Sequence, residues 1–430
     1  GTNVWRENMT LLKYSSEAKA NLISKFVFLQ LSLYLVVDSL NGFMLLGLGV
    51  DASLSVVYKS VLLIILLMYL SVFLPRHMVF ILAAICALSL GEIVNIFSLD
   101  TDGSKVSFLI QHILKVLSHL ILFFFLIDRL KRDHLFFKRI LTVIQMNGLV
   151  FLCNMLAGVF GFGFSTYGQG GENMIGSKGY FYAGNEISAL LVVFGAFYLA
   201  RAYLNNKFHF IVLAILSMAV GLLVSTKTAM LAVVLLIVLI PVLYEGRRLF
   251  LLNNIPSIVF VLTLSIVLVQ ALVIFEAFTN APVYSRFLFF FERYGLAGLL
   301  LSSRDTFVTE LWFLFSQKDL FLGFLFGHGV SYYAEFTKYS VEMDVLDMFF
   351  WHGLSGVFIL LIVFVHLSYK SWINFSDNAY PFARIILVTN MMLLAISNFS
   401  GHIFTSGMLA FIWPCFVMLA YYDPRRLAVK

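Results

Sequence analysis

The stretch that decides the fold runs from His209 to Tyr244 and reads HFIVLAILSMAVGLLVSTKTAMLAVVLLIVLIPVLY. It consists of two apolar runs, each of which is long enough to cross the hydrocarbon core of a bilayer as a helix. Only the polar turn Ser225-Thr226-Lys227 separates the two runs. The stretch therefore predicts a helical hairpin in a membrane, with its turn at one surface.

The composition of the whole chain supports the same class of protein. Of its 430 residues, 61% are hydrophobic and 12% are charged, and the mean hydropathy is +0.95. These values exceed what a soluble core requires, and the apolar runs are too long for barrel strands. Cys86, Cys153 and Cys415 lie inside apolar runs, so we expect buried hydrophobes rather than disulfides or metal ligands. We predict an all-α polytopic integral membrane protein with a single transmembrane domain over residues 1–430.

About twelve apolar runs are long enough to be transmembrane helices. They cover residues 26–48, 54–74, 78–99, 106–127, 140–160, 181–200, 209–225, 228–244, 255–277, 346–368, 384–400 and 404–421. One large loop, 278–345, separates the ninth run from the tenth. Charged residues gather in this loop although the chain is otherwise apolar, so we expect the loop to contribute to a functional site.

The basic residues indicate how the chain is oriented in the membrane. Most fall in one set of loops, among them Arg129, Lys131, Arg132, Lys138, Arg139, Arg247, Arg248, Arg425 and Arg426. The opposite short loops hold little more than Lys105, Lys178 and Lys227. Because cytoplasmic loops are enriched in Lys and Arg, both termini are predicted to be cytoplasmic and the 278–345 loop to face outward. The net charge of +6 follows from this topology and does not indicate a nucleic-acid partner.

The outward orientation limits the chemistry that the protein can perform. The outer face has neither ATP nor nucleotide sugars, and the sequence contains no P-loop, dinucleotide fingerprint or His-Glu-x-x-His pattern. A donor on this side must arrive already activated, and a lipid pyrophosphate is such a donor. Its leaving group needs cationic stabilisation, which arginine provides by bidentate pairing with phosphate oxygens.

Two of four outward-facing segments lie before the large loop. The glycine-rich run 161–171 leads to Lys178, a candidate phosphate contact, and to Asn185 and Glu186 at the start of the sixth span. In the turn after the seventh span, Lys227 begins a helix whose N-terminus favours anions. The alternatives are a flexible re-entrant loop with a helix cap for the first segment, and a snorkelling lysine for the second.

The large loop is the third segment, and its arginines Arg286, Arg293 and Arg304 are candidate phosphate contacts. Arg304 precedes apolar residues at helical spacing, which predicts an amphipathic helix on the bilayer or over the spans. The face of this helix would carry Phe307, Leu311, Trp312, Leu314 and Phe315.

The end of this loop and the fourth segment supply titratable groups. Gly327-His328-Gly329 predicts a tight turn, and Glu342, Asp344 and Asp347 lead into the tenth span. Acidic residues at a helix N-terminus are also ordinary caps. The fourth segment is the turn Gly401-His402, where His402 is either a base or a packing residue.

The order of several motifs resembles the O-antigen polymerase and ligase superfamily, whose Wzy-type members are multi-spanning bacterial glycosyltransferases with a large periplasmic loop. These motifs are Ser225-x-Lys227-x-Ala229, Arg304 with Trp312 eight residues on, Gly327-x-Gly329 and Gly353-x-x-Gly356. The ligase branch carries a His-Asn pair after the glycine turn, whereas this chain has Val341-Glu342-Met343-Asp344 there. This difference favours a polymerase over a ligase.

The resemblance implies a metal-independent, inverting glycosyl transfer of GT-C type, without a cofactor, at the periplasmic face of the bacterial inner membrane. The substrate would be undecaprenyl-pyrophosphate-linked oligosaccharide, and membrane lipids and a chain-length regulator protein would be further partners. Arg304, helped by Lys227 and Lys178, would hold the donor pyrophosphate. Glu342, Asp344 or Asp347 would activate the acceptor hydroxyl, with His328 or His402 in reserve.

Three alternatives remain open at this point. A ligase would transfer the polysaccharide to a lipid A core, and a transporter or flippase would move the lipid-linked oligosaccharide without chemistry. Other membrane transferases form the third. The sequence disfavours a transporter because it shows no inverted repeat and no matched pair of broken helices.

Overall fold

The described part of the chain is almost entirely helical. The computed structural model describes residues 2–51, 53–96, 103–167, 175–181, 184–246, 304–334, 340–399 and 401–424. In chain order its helices are α1 Thr2–Ser32, α2 Tyr34–Leu48, α3 Leu54–Phe73, α4 Pro75–Ile96, α5 Gly103–Arg132, α6 Phe136–Val159, α7 Gly184–Asn205, α8 Lys207–Val224, α9 Lys227–Glu245, α10 Arg304–Ser316, α11 Leu320–Phe326, α12 Val330–Ala334, α13 Asp344–Ile373, α14 Ala383–Phe399, α15 Leu409–Val417 and a 3-10 turn Met418–Tyr421. Strands β1 Ser165–Tyr167 and β2 Ile175–Ser177 form a small antiparallel ribbon before α7.

The hairpin of the His209–Tyr244 stretch forms as predicted, as α8 and α9. Each helix begins with a side-chain cap: Asn206 accepts from Phe208 N, and Thr226 accepts from Ala229 N. Ser225 reverses the chain with a left-handed φ of 57°. The Ser188 and Thr226 hydroxyls lie 2.8 Å apart, which fixes the turn against α7.

Eight described helices are long and apolar enough to cross a membrane, and the prediction of an all-α polytopic membrane protein is confirmed. They are Leu54–Phe73, Pro75–Ile93, Leu109–Arg132, Phe136–Val159, Glu186–Asn205, Lys207–Val224, Thr228–Glu245 and Asp344–Ile373. The predicted span 255–277 lies outside the described residues. The last two predicted spans, 384–400 and 404–421, correspond to shorter apolar helices, Ala383–Phe399 and Leu409–Tyr421.

Three of the predicted spans are not continuous helices. The first is bent by 46° between Ser32 and Tyr34. The tenth, α13, is interrupted at Gly353, whose φ of 62° and ψ of −154° are not helical. The twelfth begins only at Leu409, because residues 401–408 form an irregular turn. Breaks therefore occur in both halves of the chain, but they do not lie at corresponding positions, and the absence of a matched pair of broken helices stays a prediction.

The predicted amphipathic helix is α10, and its exposed side carries two aromatic residues beside polar ones such as Asp305 and Glu310. Leu311 and Phe315 are buried against neighbouring helices, while Trp312 and Phe313 are 46% and 62% exposed. The exposed apolar surface continues on α11, where Phe321 is 73% exposed. Trp312 thus does not share the buried side of Leu311 and Phe315. Aromatic residues exposed beside membrane-spanning helices are suited to contact with lipid.

Glycines let α11 approach α4 and α13 closely. A Cβ on Gly91 or on Gly353 would overlap the backbone at Phe326, and a Cβ on Gly327 would overlap the carbonyl of Trp351. The break at Gly353 lies beside this contact, and the carbonyls of Phe350 and Trp351 accept the amides of His328 and Gly329, at 3.1 and 2.9 Å. The glycine motifs therefore serve close backbone packing.

Gly327→Ala is expected to destabilise the protein by about 2–5 kcal/mol, because a Cβ overlaps backbone and the φ of 69° with a ψ of −175° strongly favours glycine. Gly184→Ala is the matched control, since a Cβ there meets no atom within 4 Å. Thermal unfolding of the detergent-solubilised protein measures both. A melting temperature for Gly327→Ala equal to that of the control would contradict the packing described here.

Candidate functional site

The irregular turn 401–408 between α14 and α15, here called the junction turn, connects the parts of the candidate site. Its first half is held by the Asp344 carboxylate at the start of α13. One oxygen of Asp344 accepts from His402 N at 2.8 Å, and the other accepts from Ile403 N and Phe404 N at 2.8 and 3.0 Å. A buried carboxylate thus satisfies three backbone amides that have no place in a helix.

The second half of the junction turn is held from α7. Glu186 accepts from Ser406 Oγ at 2.6 Å and from Met408 N at 2.8 Å. The Tyr34 hydroxyl donates to the carbonyl of Gly407. Two carboxylates from distant parts of the chain therefore hold one turn. The α8–α9 turn reaches the same end of the bundle through the contact between Ser188 and Thr226, so all four predicted segments meet there.

Arg304 and Glu342 form an ion pair beside this turn. The Arg304 Nη2 atom lies 2.9 Å from Glu342 Oε2, and Arg304 Nε donates to the Glu342 carbonyl at 3.1 Å. The Arg304 side chain is 10% exposed and the Glu342 side chain 31% exposed. Gly401 packs so closely on Glu342 that a Cβ would overlap the Glu342 backbone. Arg304, Glu342 and the junction turn are therefore neighbours.

The Asp347 carboxylate binds nearby backbone amides, whereas the Glu342 carboxylate pairs with Arg304. Asp347 accepts from Ser340 Oγ at 2.8 Å, from Val341 N at 2.6 Å and from Met343 N at 3.2 Å. It is buried and shapes the segment that leads into α13. In that segment Glu342 has a left-handed φ of 64°, which is uncommon for a residue with a side chain. Asp344 and Asp347 thus hold backbone in place, and Glu342 keeps a partly exposed carboxylate.

The structure describes the remaining candidates only in part. His402 follows Gly401 in the junction turn, has a φ of 61° and is half-buried. Lys178 lies 5.8 Å from the centre of the Phe164 ring, and burial lowers its pKa below the ordinary lysine value. Lys227 begins α9 and Asn185 lies in the first turn of α7, but their side chains are outside the described part of the structure, as are Arg286 and Arg293 entirely.

His328 packs against Phe315, and its predicted contact with substrate stays a prediction. It is buried, its Nε2 lies 3.1 Å from the carbonyl oxygen of Phe315, and its ring lies 4.7 Å from the Phe315 ring. Burial is the main cause that lowers the pKa of His328, with a smaller contribution in the same direction from Lys318. The Phe315 carbonyl and Asp319 act in the opposite direction.

This lowered pKa predicts how stability responds to acid. Because folded His328 resists protonation while the unfolded chain accepts a proton near pH 6.5, its contribution to stability is present above that pH and lost as the pH falls below it. The melting temperature of His328→Gln should consequently fall less between pH 7 and pH 5 than that of the wild type. Equal falls in the two proteins would contradict the prediction.

Sequence reasoning missed three ionisable residues inside apolar spans, Asp38, Lys59 and Glu92, each of which has a partner. Lys59 Nζ lies 2.8 Å from Asp38 Oδ1, close to Gly407 of the junction turn. Glu92 of α4 accepts the amide of Ser331 at 2.7 Å and also its hydroxyl. The available signal was the charge itself, because an ionisable residue inside a span is costly unless it has a partner.

Comparison with protein-family models, with curated proteins and with solved structures gives no match to this chain. The described residues contain no group of three or more His, Cys, Asp or Glu that could hold a metal ion. The fold and the site thus define a polytopic helical membrane protein with a buried arginine–glutamate pair beside a carboxylate-held turn.

Proposed function

We propose that this protein is a membrane glycosyltransferase of the bacterial inner membrane, which polymerises undecaprenyl-pyrophosphate-linked oligosaccharide repeat units on the outer face. The observation that carries the proposal is the pair of Arg304 and Glu342. It places a guanidinium and a partly exposed carboxylate side by side at the end of the bundle where the four segments meet. The order of the short motifs favours the polymerase branch.

The pair supplies both groups that the transfer needs. The hydroxyl oxygen of the acceptor sugar attacks the anomeric carbon of the donor, and the bond from that carbon to the pyrophosphate oxygen breaks with its electrons on the pyrophosphate. Arg304 stabilises the charge that develops there, and Glu342 takes the hydroxyl proton. A pyrophosphate that engages Arg304 competes with Glu342 for the guanidinium, so donor binding frees the carboxylate that acts as the base.

Asp344, Asp347 and Glu186 act on position rather than on protons in this scheme. Their oxygens already accept backbone amides and hydroxyls, so each carboxylate is held in place as an acceptor. His402 is held by its own amide, which donates to Asp344. Of the candidate carboxylates, we therefore assign the role of base to Glu342.

A transporter of the same lipid-linked oligosaccharide is the second candidate. It is favoured by the break at Gly353 and by the irregular junction turn between α14 and α15, since discontinuous helices often line transport pathways. Such a protein would use the same cations for the pyrophosphate but would form no glycosidic bond.

The test is a reaction of the purified full-length protein with synthetic undecaprenyl-pyrophosphate repeat units, without nucleotide, metal or lipid A. A ladder of glycan lengths on a gel supports polymerisation. One new band that needs an added lipid A core acceptor identifies a ligase. Proteoliposomes loaded with the same lipid report transport, and movement across the bilayer without any product would overturn the enzymatic proposal.

A further inference from the structure

Lys115 of α5 is a cation inside a membrane-spanning helix. It lies six residues after Leu109, where the apolar span begins, and fourteen before Arg129. At the helical rise per residue, these separations are about 9 Å and about 21 Å along the axis. Lys115 therefore belongs to the outer third of the span if α5 runs in the predicted direction.

The helix that carries Lys115 is otherwise central and mostly buried. It packs against α3, α4, α13 and α15. Gln111 and Lys115, one turn apart on the same face, are nevertheless exposed, whereas Ser118 on the next turn is buried. The polar side chains on this face of α5 are thus exposed as far as Lys115, and the face is buried from Ser118 onward.

A comparison with Lys59 shows why Lys115 is unusual. Lys59 lies five residues after the start of its own span and is neutralised by Asp38 at 2.8 Å. Lys115 forms no ion pair with any residue in the part of the chain that the structure describes. Lys59 and Lys115 lie at similar depth in their spans, but only Lys59 has a carboxylate partner among the described residues.

Lys115 is also connected to the candidate site. On the adjacent turn His112 packs edge-on against Trp351, with ring centres 4.3 Å apart. Trp351 belongs to α13, the helix that begins at Asp344, so His112 links this part of α5 to the helix that holds the junction turn. A ligand at Lys115 would sit one helical turn deeper in the membrane than the level of His112.

We infer that Lys115, with Gln111 one turn away, binds the phosphate group of a membrane lipid. Phosphates are the anions that lipids carry at the bilayer surface, a lysine stem is long enough to reach them, and an amide adds a neutral donor. The phosphate could belong to a polyprenyl carrier or to a bilayer phospholipid, and the test separates these sources. The inference goes beyond the proposed function and holds for a transporter as well.

The test measures lipid binding to the purified full-length protein in a sugar-headed detergent by native mass spectrometry. The probes are undecaprenyl phosphate and phosphatidylglycerol, with diacylglycerol as the phosphate-free control. Lys115→Gln should weaken binding of the recognised phosphate lipid by about tenfold or more, and Lys115→Arg should retain it. Lys131→Gln, at the other end of the same helix, removes the same charge from an exposed position and should change nothing.

The outcomes differ for each source. A loss confined to undecaprenyl phosphate supports a carrier site, and a loss for both probes supports a site for any lipid phosphate. Lys115→Met replaces the glutamine variant if the latter unfolds. If Lys115→Gln, or Lys115→Met in its place, binds both probes as well as the wild type does, the inference is overturned. Lys115 would then only extend its ammonium group towards the membrane surface. No repeat unit is consumed here, so this result is independent of whether a glycan ladder forms.

Discussion

Arg304→Ala is expected to lower the rate of glycan transfer by about a hundredfold or more, the usual cost of removing one preorganised group that stabilises transition-state charge. The loss arises because the variant lacks the guanidinium that, in the proposed mechanism, stabilises the charge developing on the pyrophosphate. Arg304→Lys should recover only part of the rate, since a lysine cannot pair two phosphate oxygens in a fixed fork. The measurement is the initial rate of ladder formation from lipid-linked repeat units.

The matched control for this variant is Arg139→Ala. Arg139 also pairs with a carboxylate, at 2.8 Å from Asp133, but lies at the opposite, predicted cytoplasmic end of the bundle. Its loss should leave the rate unchanged. A wild-type rate in Arg304→Ala would mean that the guanidinium does not act on the donor, and the proposed site would then be wrong.

Asp344→Ala is expected to destabilise the folded protein by about 3 kcal/mol or more, because a buried amide without an acceptor costs about 1–3 kcal/mol and three amides depend on this carboxylate. Asp344→Asn keeps one carbonyl oxygen and should lie between the alanine variant and the wild type. Thermal unfolding in detergent gives the comparison.

Asp305→Ala provides the control for the stability measurement. Asp305 is likewise an acidic residue in the first turn of a helix, but it is exposed on α10. Its substitution should change the free energy of unfolding by no more than about 0.5 kcal/mol. If the two alanine variants melted together, the junction turn would not depend on Asp344.

The sequence could predict the spans because their apolar runs have the length of a bilayer, and it could predict the α8–α9 hairpin because its turn is polar. It could not predict the break at Gly353 or the start of α15 at Leu409. The junction turn, Gly-His-Ile-Phe-Thr-Ser-Gly-Met, is apolar enough to continue a span. What keeps it irregular is a pair of carboxylates on α7 and α13, which local patterns do not reveal.

The candidate site shows the same limit. Asp344 and Asp347 are three residues apart and begin one helix, as expected, yet Asp344 reaches 58 residues ahead and Asp347 a few residues back. Glu92 and Ser331 are 239 residues apart in sequence. Such partners decide whether a charge is free for chemistry, and only the fold brings them together. The roles of Arg286, Arg293, Lys227 and Asn185 stay predictions.

The short last helix has a consequence for the order in which the protein is assembled. Its nine α-helical residues and the four of the 3-10 turn extend for about 22 Å, less than the roughly 30 Å of a bilayer core. The segment therefore cannot enter the membrane stably alone during synthesis, because the polar backbone before it would meet lipid. The polar backbone of the turn needs the carboxylates of Asp344 and Glu186 as hydrogen-bond acceptors, so these must already be in position. Stable insertion of this segment thus depends on α7 and α13 being in place first.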